Sequence, residues 1–426
     1  MYNAQPAFWA TIPFFVLLSA IATMPLVNGR WWGKYYPAVT LGISLPTMVY
    51  YLAVLHDPVP LTDSLYQYAG FIALIGSLFI IAGGIHIRLK GRSRPLTNVL
   101  FLGAGALAAN FIGTTGASMI LIRPYLRVNK YRIKPYHVIF FIFVVSNIGG
   151  ALTPVGDPPL FVGYLKGIPF FWSIVNLWYI WALAVAAVLI VFYLIDLKSF
   201  REMSRGNQNQ ALGEGEQGEV QGLHNLIFLS VVLVAVFVTH PPFLREALMV
   251  AAAAGSYLTT PSQVHRKNMF DFVPIKEVAI LFAGIFITMV PALEWIGQHA
   301  SGFGLGSPGE FYWMTGALSS VLDNTPTYLN LLSAAIGRFV GGSQLVSSLP
   351  PAVLLLSAKK VVVQAISIGA VFFGAMTYIG NGPNFMVKSI SEQSGVECPP
   401  FLTYVLRYSV PILLPIFILI WLIFFR

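Results

Sequence analysis

Residues 150–162 read GALTPVGDPPLFV, and residues 374–386 read GAMTYIGNGPNFM. Gly150/Gly374, Ala151/Ala375, Thr153/Thr377, Gly156/Gly380, Pro159/Pro383 and Phe161/Phe385 are identical pairs. Six matches in thirteen positions, with Gly and Pro in register, mark an internal repeat. Each copy interrupts a long apolar stretch with the two residue types that break helices or let backbones approach closely. Around these copies the chain of 426 residues is 57% hydrophobic and only 10% charged, with a mean hydropathy of +0.74. A soluble domain has about a quarter of its residues charged, so this composition asks for a bilayer. The apolar stretches are long and almost free of charge, unlike the alternating strands of a membrane barrel. The expected fold class is an all-α polytopic membrane protein.

Apolar segments lie near 8–27, 36–55 and 69–87. The next, Pro95 to Ile122, is bracketed by Arg88, Lys90, Arg92 and Arg94 before it and by Arg123, Arg127, Lys130, Arg132 and Lys134 after it. A single span would place two strongly basic loops on opposite faces, against the tendency of basic loops to stay in the cytoplasm. A re-entrant hairpin over about 95–123, with its tip near Asn110 to Gly116, removes the conflict; such a tip can be non-helical only where it is buried or lines a cavity. An interrupted span follows at about 137–166 and a full span near 170–197. Residues 198–222 are polar and rich in Gly and Gln, which reads as a flexible cytoplasmic linker. Further spans are expected near 224–240, 245–260 and 277–297, then a second hairpin at about 310–337, a second interrupted span at about 360–390 and a last span at 401–425. The chain thus divides into a first repeat, 1–197, and a second, 223–426, each with three spans, a hairpin, a broken helix and a final span.

With the basic loops in the cytoplasm, 19 of the 25 Lys and Arg residues fall on that side. The net charge of +9 is therefore read as an orientation signal, with no nucleic-acid partner. The N-terminus falls outside the cell membrane, which would be the inner membrane, and its start, MYNAQPAFW, lacks the basic region of a cleaved signal peptide. A hairpin adds no net crossing, so each half crosses five times and the second half enters from the opposite face. This inverted-topology repeat is an architecture of secondary transporters, whose discontinuous helices mark a binding site near the midplane. Cys398 is the only cysteine, and no metal-ligand spacing is present. No cofactor is expected. The absence of HExxH, G-x-S-x-G and P-loop motifs argues against an intramembrane enzyme and a primary pump.

The stretches NFIGTTGASMILIRP (110–124), SNIGGALTPVGDPPLFV (146–162), SSVLDNTPTYLNLL (319–332) and GAMTYIGNGPNFMVKSI (374–390) together resemble the ion transporter superfamily. That superfamily includes sodium-coupled dicarboxylate symporters, citrate–metal transporters, arsenite permeases and NhaD-type sodium/proton antiporters. The resemblance implies a scaffold and a moving transport unit in each protomer, commonly in a homodimer. Dicarboxylate symporters carry Ser-Asn-Thr at both hairpin tips; here the tips have Asn110-Phe111-Ile112-Gly113-Thr114-Thr115 and Asp323-Asn324-Thr325. The second tip and Gly156-Asp157-Pro158-Pro159 look more like the antiporter and arsenite-permease branches.

Asp157 and Asp323 are carboxylates deep in membrane segments at helix breaks, where an ionisable group is costly and reads as functional. A carboxylate that holds either a proton or a sodium ion is what exchange coupling requires. The alternative reading of Asp157 is a cap for the following half-helix, with Pro158 at its first position. Asn110, Thr114, Thr115, Asn324 and Thr325 at the tips, and Ser146, Asn147, Thr153, Thr377, Asn381 and Asn384 in the broken spans, offer oxygens for an ion or amides for an anion. Equally, such residues satisfy exposed backbone at any helix break. Lys359 and Lys360 are expected to snorkel to the outer interface. Two functions follow. The leading expectation is a sodium/proton antiporter working by alternating access; the alternative is a sodium- or proton-coupled symporter of citrate or another carboxylate.

Overall fold

In the computed structural model, residues 6–88, 93–203, 219–238, 240–299, 302, 304–341 and 349–426 are described. Among them, nine helical stretches are long and apolar enough to cross a membrane. The only sheet among the described residues is one two-stranded ribbon.

The first two spans form one helical run, α1 (Ile12–Val49), broken at Asn28, whose φ of −151° and ψ of 76° leave the helix. Asn28 Oδ1 accepts from Trp31 N at 3.1 Å and so caps the second segment. The two segments fold back on each other, since Ala7 N donates to Tyr50 Oη at 3.2 Å and Trp9 stacks edge-on against Tyr50. The loop expected between 27 and 36 is thus a single-residue break, and Arg30 and Lys34 are on helix. α2 (Val59–Gly83) begins ten residues before the expected third span, which ends early because His86–Arg88 is a strand, β1.

α3 (Pro95–Val128) is helical throughout except at Gly113, where φ is +74° and ψ is 155°. Only glycine adopts that conformation at low cost. The chain doubles back there, as cross-arm contacts equidistant from Gly113 attest. Phe101 meets Tyr125 with ring centroids 5.1 Å apart, and Asn98 Nδ2 donates to Asn129 Oδ1 at 2.8 Å. α4 (Pro135–Val144) is buried from Tyr136 to Val144. A helix that is apolar on every side belongs in the centre of a bundle, and α4 forms the heart of the largest core cluster. A short turn (Ile148–Leu152), the half-helix α5 (Pro158–Leu165) and the long α6 (Trp172–Arg201) complete this half.

Most of the expected flexible linker, 204–218, lies outside the described residues. On either side of it, α6 continues to Arg201, and β2 (Glu219–Gln221) pairs antiparallel with β1. α7 (Asn225–Ala235) and α8 (Leu244–Thr259) have 11 and 16 residues, so neither alone reaches the about 20 that a span needs. The two helices pack against each other. α9 (Ser262–Lys267) is followed by the long α10 (Val273–His299).

α11 (Pro308–Ser319) and α12 (Asn324–Phe339) form a second helix pair, with Phe311 and Phe339 6.1 Å apart across it. α13 (Pro351–Phe373) starts nine residues before the expected 360, with a break at Lys359. Lys359 and Lys360 thus sit inside a helix, and the Lys359 ammonium lies 5.3 Å from the Phe339 ring. A turn (Gly374–Met376), the half-helix α14 (Gly382–Gln393) and the terminal helical run α15 (Phe401–Phe425) close the chain.

Candidate functional site

The two copies of the repeat make the same local contacts. Thr153 Oγ1 donates to Asn110 O at 2.6 Å, and Thr377 Oγ1 donates to Ser320 O at 2.6 Å. The same two hydroxyls accept from Gly156 N and Gly380 N, both at 3.0 Å. Thr153 and Thr377 therefore tie each broken span to the adjacent hairpin and are taken up with backbone. The paired glycines are steric necessities, since a Cβ on Gly156 would stand 2.1 Å from Gly150 O and one on Gly380 would stand 2.6 Å from Gly374 O. Asn110 is a third clamp. Its amide donates to Ala106 O and Gly149 O at 3.0 and 2.7 Å, and its Oδ1 accepts from Leu152 N at 2.9 Å.

Held in this way, four chain breaks meet at Asp157, which is fully buried. Its Oδ1 accepts from Thr114 Oγ1 at 2.9 Å and from Asn381 Nδ2 at 3.1 Å, and its Oδ2 accepts from Asn324 Nδ2 at 3.0 Å. Thr114 opens the second arm of α3, Asp157 precedes α5, Asn324 opens α12 and Asn381 precedes α14. Every partner is thus at the start of a helix, and the four starts come from separate segments, two in each half of the chain. Helix starts carry free N–H groups and partial positive charge. Asp157 makes no capping bond to α5, which removes the purely local explanation for this residue. No Lys or Arg forms an ion pair with it among the described residues. Asp157 and Asn381 occupy equivalent positions of the repeat, so one copy brings a carboxylate and the other an amide to the same point.

Asp323 has the role first considered for Asp157. Its side chain accepts from Thr325 N at 3.0 Å and caps α12. Ser146 shares a hydroxyl hydrogen bond with Ser118 at 2.8 Å, and its carbonyl accepts from Asn381 Nδ2 at 3.2 Å. Asn147 Nδ2 donates to Asn384 Oδ1 at 2.7 Å, a second link between halves, while Asn147 Oδ1 is buried without a partner. Asn384 Nδ2 in turn donates to Gly374 O and Thr377 O. Thr325 is buried at the α12 start, whereas Thr115 is half-buried and lines a small cleft with Leu78, Gly113, Gly116 and Pro158. Thr115 makes no side-chain hydrogen bond to the Asp157 group. No group of three or more His, Cys, Asp or Glu that could hold a metal occurs among the described residues.

A buried polar cluster at the base of the α3 hairpin was not foreseen. Arg132 makes a bidentate pair with Asp196, joined by Tyr136 Oη at 2.6 Å and Asn98 Nδ2 at 3.1 Å, and Arg132 Nε donates to Ser93 Oγ at 2.7 Å. The signal was available: Asp196 is a lone acid in the apolar run 170–197, the property that singled out Asp157.

A family model described as "Putative citrate transport" matches residues 3–425 of this chain. An "Uncharacterized transporter" of Mycobacterium tuberculosis is 26% identical over 324 residues, covering 72% of each chain. A "46 kDa membrane protein" of Mycobacterium leprae is 29% identical over 269 residues, covering 59% of this chain and 58% of that one. A match over nearly the whole length, on a fold of apolar helices with a buried site, makes this chain a member of that citrate-transport family and a multi-pass membrane transporter, not an enzyme.

Proposed function

We propose that the protein is a cation-coupled symporter of citrate or a related carboxylate that works by alternating access. The observation that carries this reading is the setting of Asp157: one carboxylate, bonded only to neutral donors, at the meeting point of four helix starts. Four helix starts form a natural place for an anion, and the amides of Asn324 and Asn381 add donors for carboxylate oxygens. Asp157 already occupies that field, so an incoming polyanion would be repelled unless a sodium ion or proton first neutralises it. This requirement couples the two solutes. Asn147 Oδ1, buried and unpaired, offers a further oxygen for the cation. Asp323, one residue before Asn324, is the second acid near Asp157. The family description supports this reading over the sodium/proton antiporter that the hairpin tips alone favoured.

In the same proposal the two halves are inverted repeats, α3 and the α11–α12 pair are re-entrant hairpins, and the basic loops and central linker face the cytoplasm across the cell membrane. The N-terminus is outside, and the protomers pair as a homodimer. The test is transport in proteoliposomes with labelled citrate and a trapped pH dye. Citrate entry that depends on an imposed sodium or proton gradient supports the symporter. If a sodium gradient moves protons with no organic acid present, and citrate stays outside, the antiporter is the right reading.

A further inference from the structure

Arg123 and Arg127 belong by sequence to a basic stretch that flanks the first hairpin, yet α3 carries both. Gly116, Ile120, Arg123 and Arg127 share one face of its second arm, being spaced by three or four residues. This face lies against α2. A Cβ on Gly116 would meet Ala82 Cβ at 3.4 Å, and Ile120 is buried in one apolar cluster with Ala82 and Ile85. The cleft at the hairpin tip, lined by Leu78, Phe79, Thr114, Thr115 and Gly116, opens in the same seam between α2 and α3. Arg123 follows the apolar contact down the seam, nine residues from Thr114, or roughly 13.5 Å of helix. It is partly buried, and its Nε is sealed without a hydrogen-bond partner. The charged group beside it is the exposed Arg127 guanidinium, one turn on, so its neighbour repels it. Among the described residues no acid pairs with Arg123. Among the described residues the two buried arginines are paired, Arg132 with Asp196 and Arg245 with Glu246, whereas Arg123, like the partly buried Lys166, forms no ion pair. A guanidinium with one nitrogen sealed from solvent and unpaired carries a cost that an anion hydrogen-bonded to it would offset.

We infer that Arg123 is a way-station for a carboxylate group of the transported anion, with Arg127 as the outer step of a cationic track from the basic-loop face to Asp157. This inference rests on the carboxylate-carrier reading and adds a residue and a route to it. A guanidinium suits the role because its planar fork matches a carboxylate's two oxygens. An anionic lipid headgroup could supply the same chemistry, and the experiment separates the two sources.

Labelled citrate uptake is measured in proteoliposomes for the wild type, R123Q, R123K and R266Q, in phosphatidylcholine alone and with added phosphatidylglycerol. Size-exclusion profiles establish folding, and R123K preserves the charge if R123Q folds poorly. Arg266 is exposed on α9 and serves as the control for general surface charge. The expected result is a KM raised about tenfold in R123Q, the loss of one charge-assisted contact. Vmax should hold, R123K should recover most of the affinity, R266Q should match the wild type, and the pattern should be the same in both lipids. An unchanged KM in R123Q, an equal rise in R266Q, or an effect that appears only with phosphatidylglycerol overturns the inference. A wild type that carries no carboxylate overturns the functional reading itself, and the inference falls with it.

Discussion

Asp157 and Asn381 stand at equivalent positions of the two repeats and touch at 3.1 Å, so the site can be tested by exchanging them. In Asp157→Asn, three donors that met a carboxylate meet an amide. Asn324 Nδ2 at 3.0 Å then faces either an N–H or a neutral oxygen. A hydrogen bond to a charged group contributes about 1.5–3 kcal/mol, so losing one such contact in cation binding corresponds to about ten- to a hundredfold. In Asn381→Asp, two carboxylates share the centre. At an effective dielectric of about 20 and a separation of about 4 Å, their repulsion is about 4 kcal/mol, enough to hold an extra cation or proton about a thousandfold more tightly. That variant should bind its cation and fail to release it. The double exchange, D157N/N381D, restores one carboxylate and one amide at the same contact, and cation-dependent citrate uptake should recover to within about tenfold of the wild type, a non-additive outcome. Uptake in proteoliposomes over a series of sodium concentrations and pH values measures all four proteins. If the double variant is no more active than Asp157→Asn alone, the argument that charge at this point, rather than the identity of residue 157, drives coupling is refuted.

Three further outcomes follow from packing. Asp323→Asn keeps a capping acceptor for Thr325 N and should leave thermal stability in detergent unchanged, whereas Asp323→Ala should lose about 1 kcal/mol, the usual cost of removing a helix cap. Gly156→Ala must displace Gly150 O, which a Cβ would approach to 2.1 Å, and should melt below Gly380→Ala, where the corresponding approach is 2.6 Å; each overpacked variant should lose about 1–3 kcal/mol. Arg132→Met leaves Asp196 buried without its guanidinium partner and should cost about 3–5 kcal/mol, the largest melting shift of this group, with Asp196→Asn in the same background recovering part of it.

The membrane class and a chain break within 110–116 were legible because they rest on composition, charge placement and glycine, all local properties. So was the importance of Asp157, since a lone acid in an apolar stretch is conspicuous. What Asp157 bonds to was not legible. Thr114, Asn324 and Asn381 come from three other segments, and a side chain before a proline-led half-helix looks from sequence like its cap. The cap proved to be Asp323 instead. Thr153, Thr377 and Asn110 looked like ion ligands yet bond chiefly to backbone, because a hydroxyl or amide at a break has the same sequence signature in either role. Helix limits were least legible where charged residues continue a helix, as at Arg30, Lys34 and Lys360, because flanking charge suggests a loop while helix propensity allows continuation.

A single carboxyl group accepting from three separate segments has a consequence for motion. Its lone pairs serve as rivets, fastening the first hairpin, the second hairpin and the second broken span to the first broken span. A cation that coordinates those oxygens competes with all three fastenings at once. On the proposed cation-coupled mechanism, loading the ion would change not only the charge of the site but also how firmly four pieces of the chain are joined there, so that the empty and loaded protein would differ in internal stiffness before either had moved.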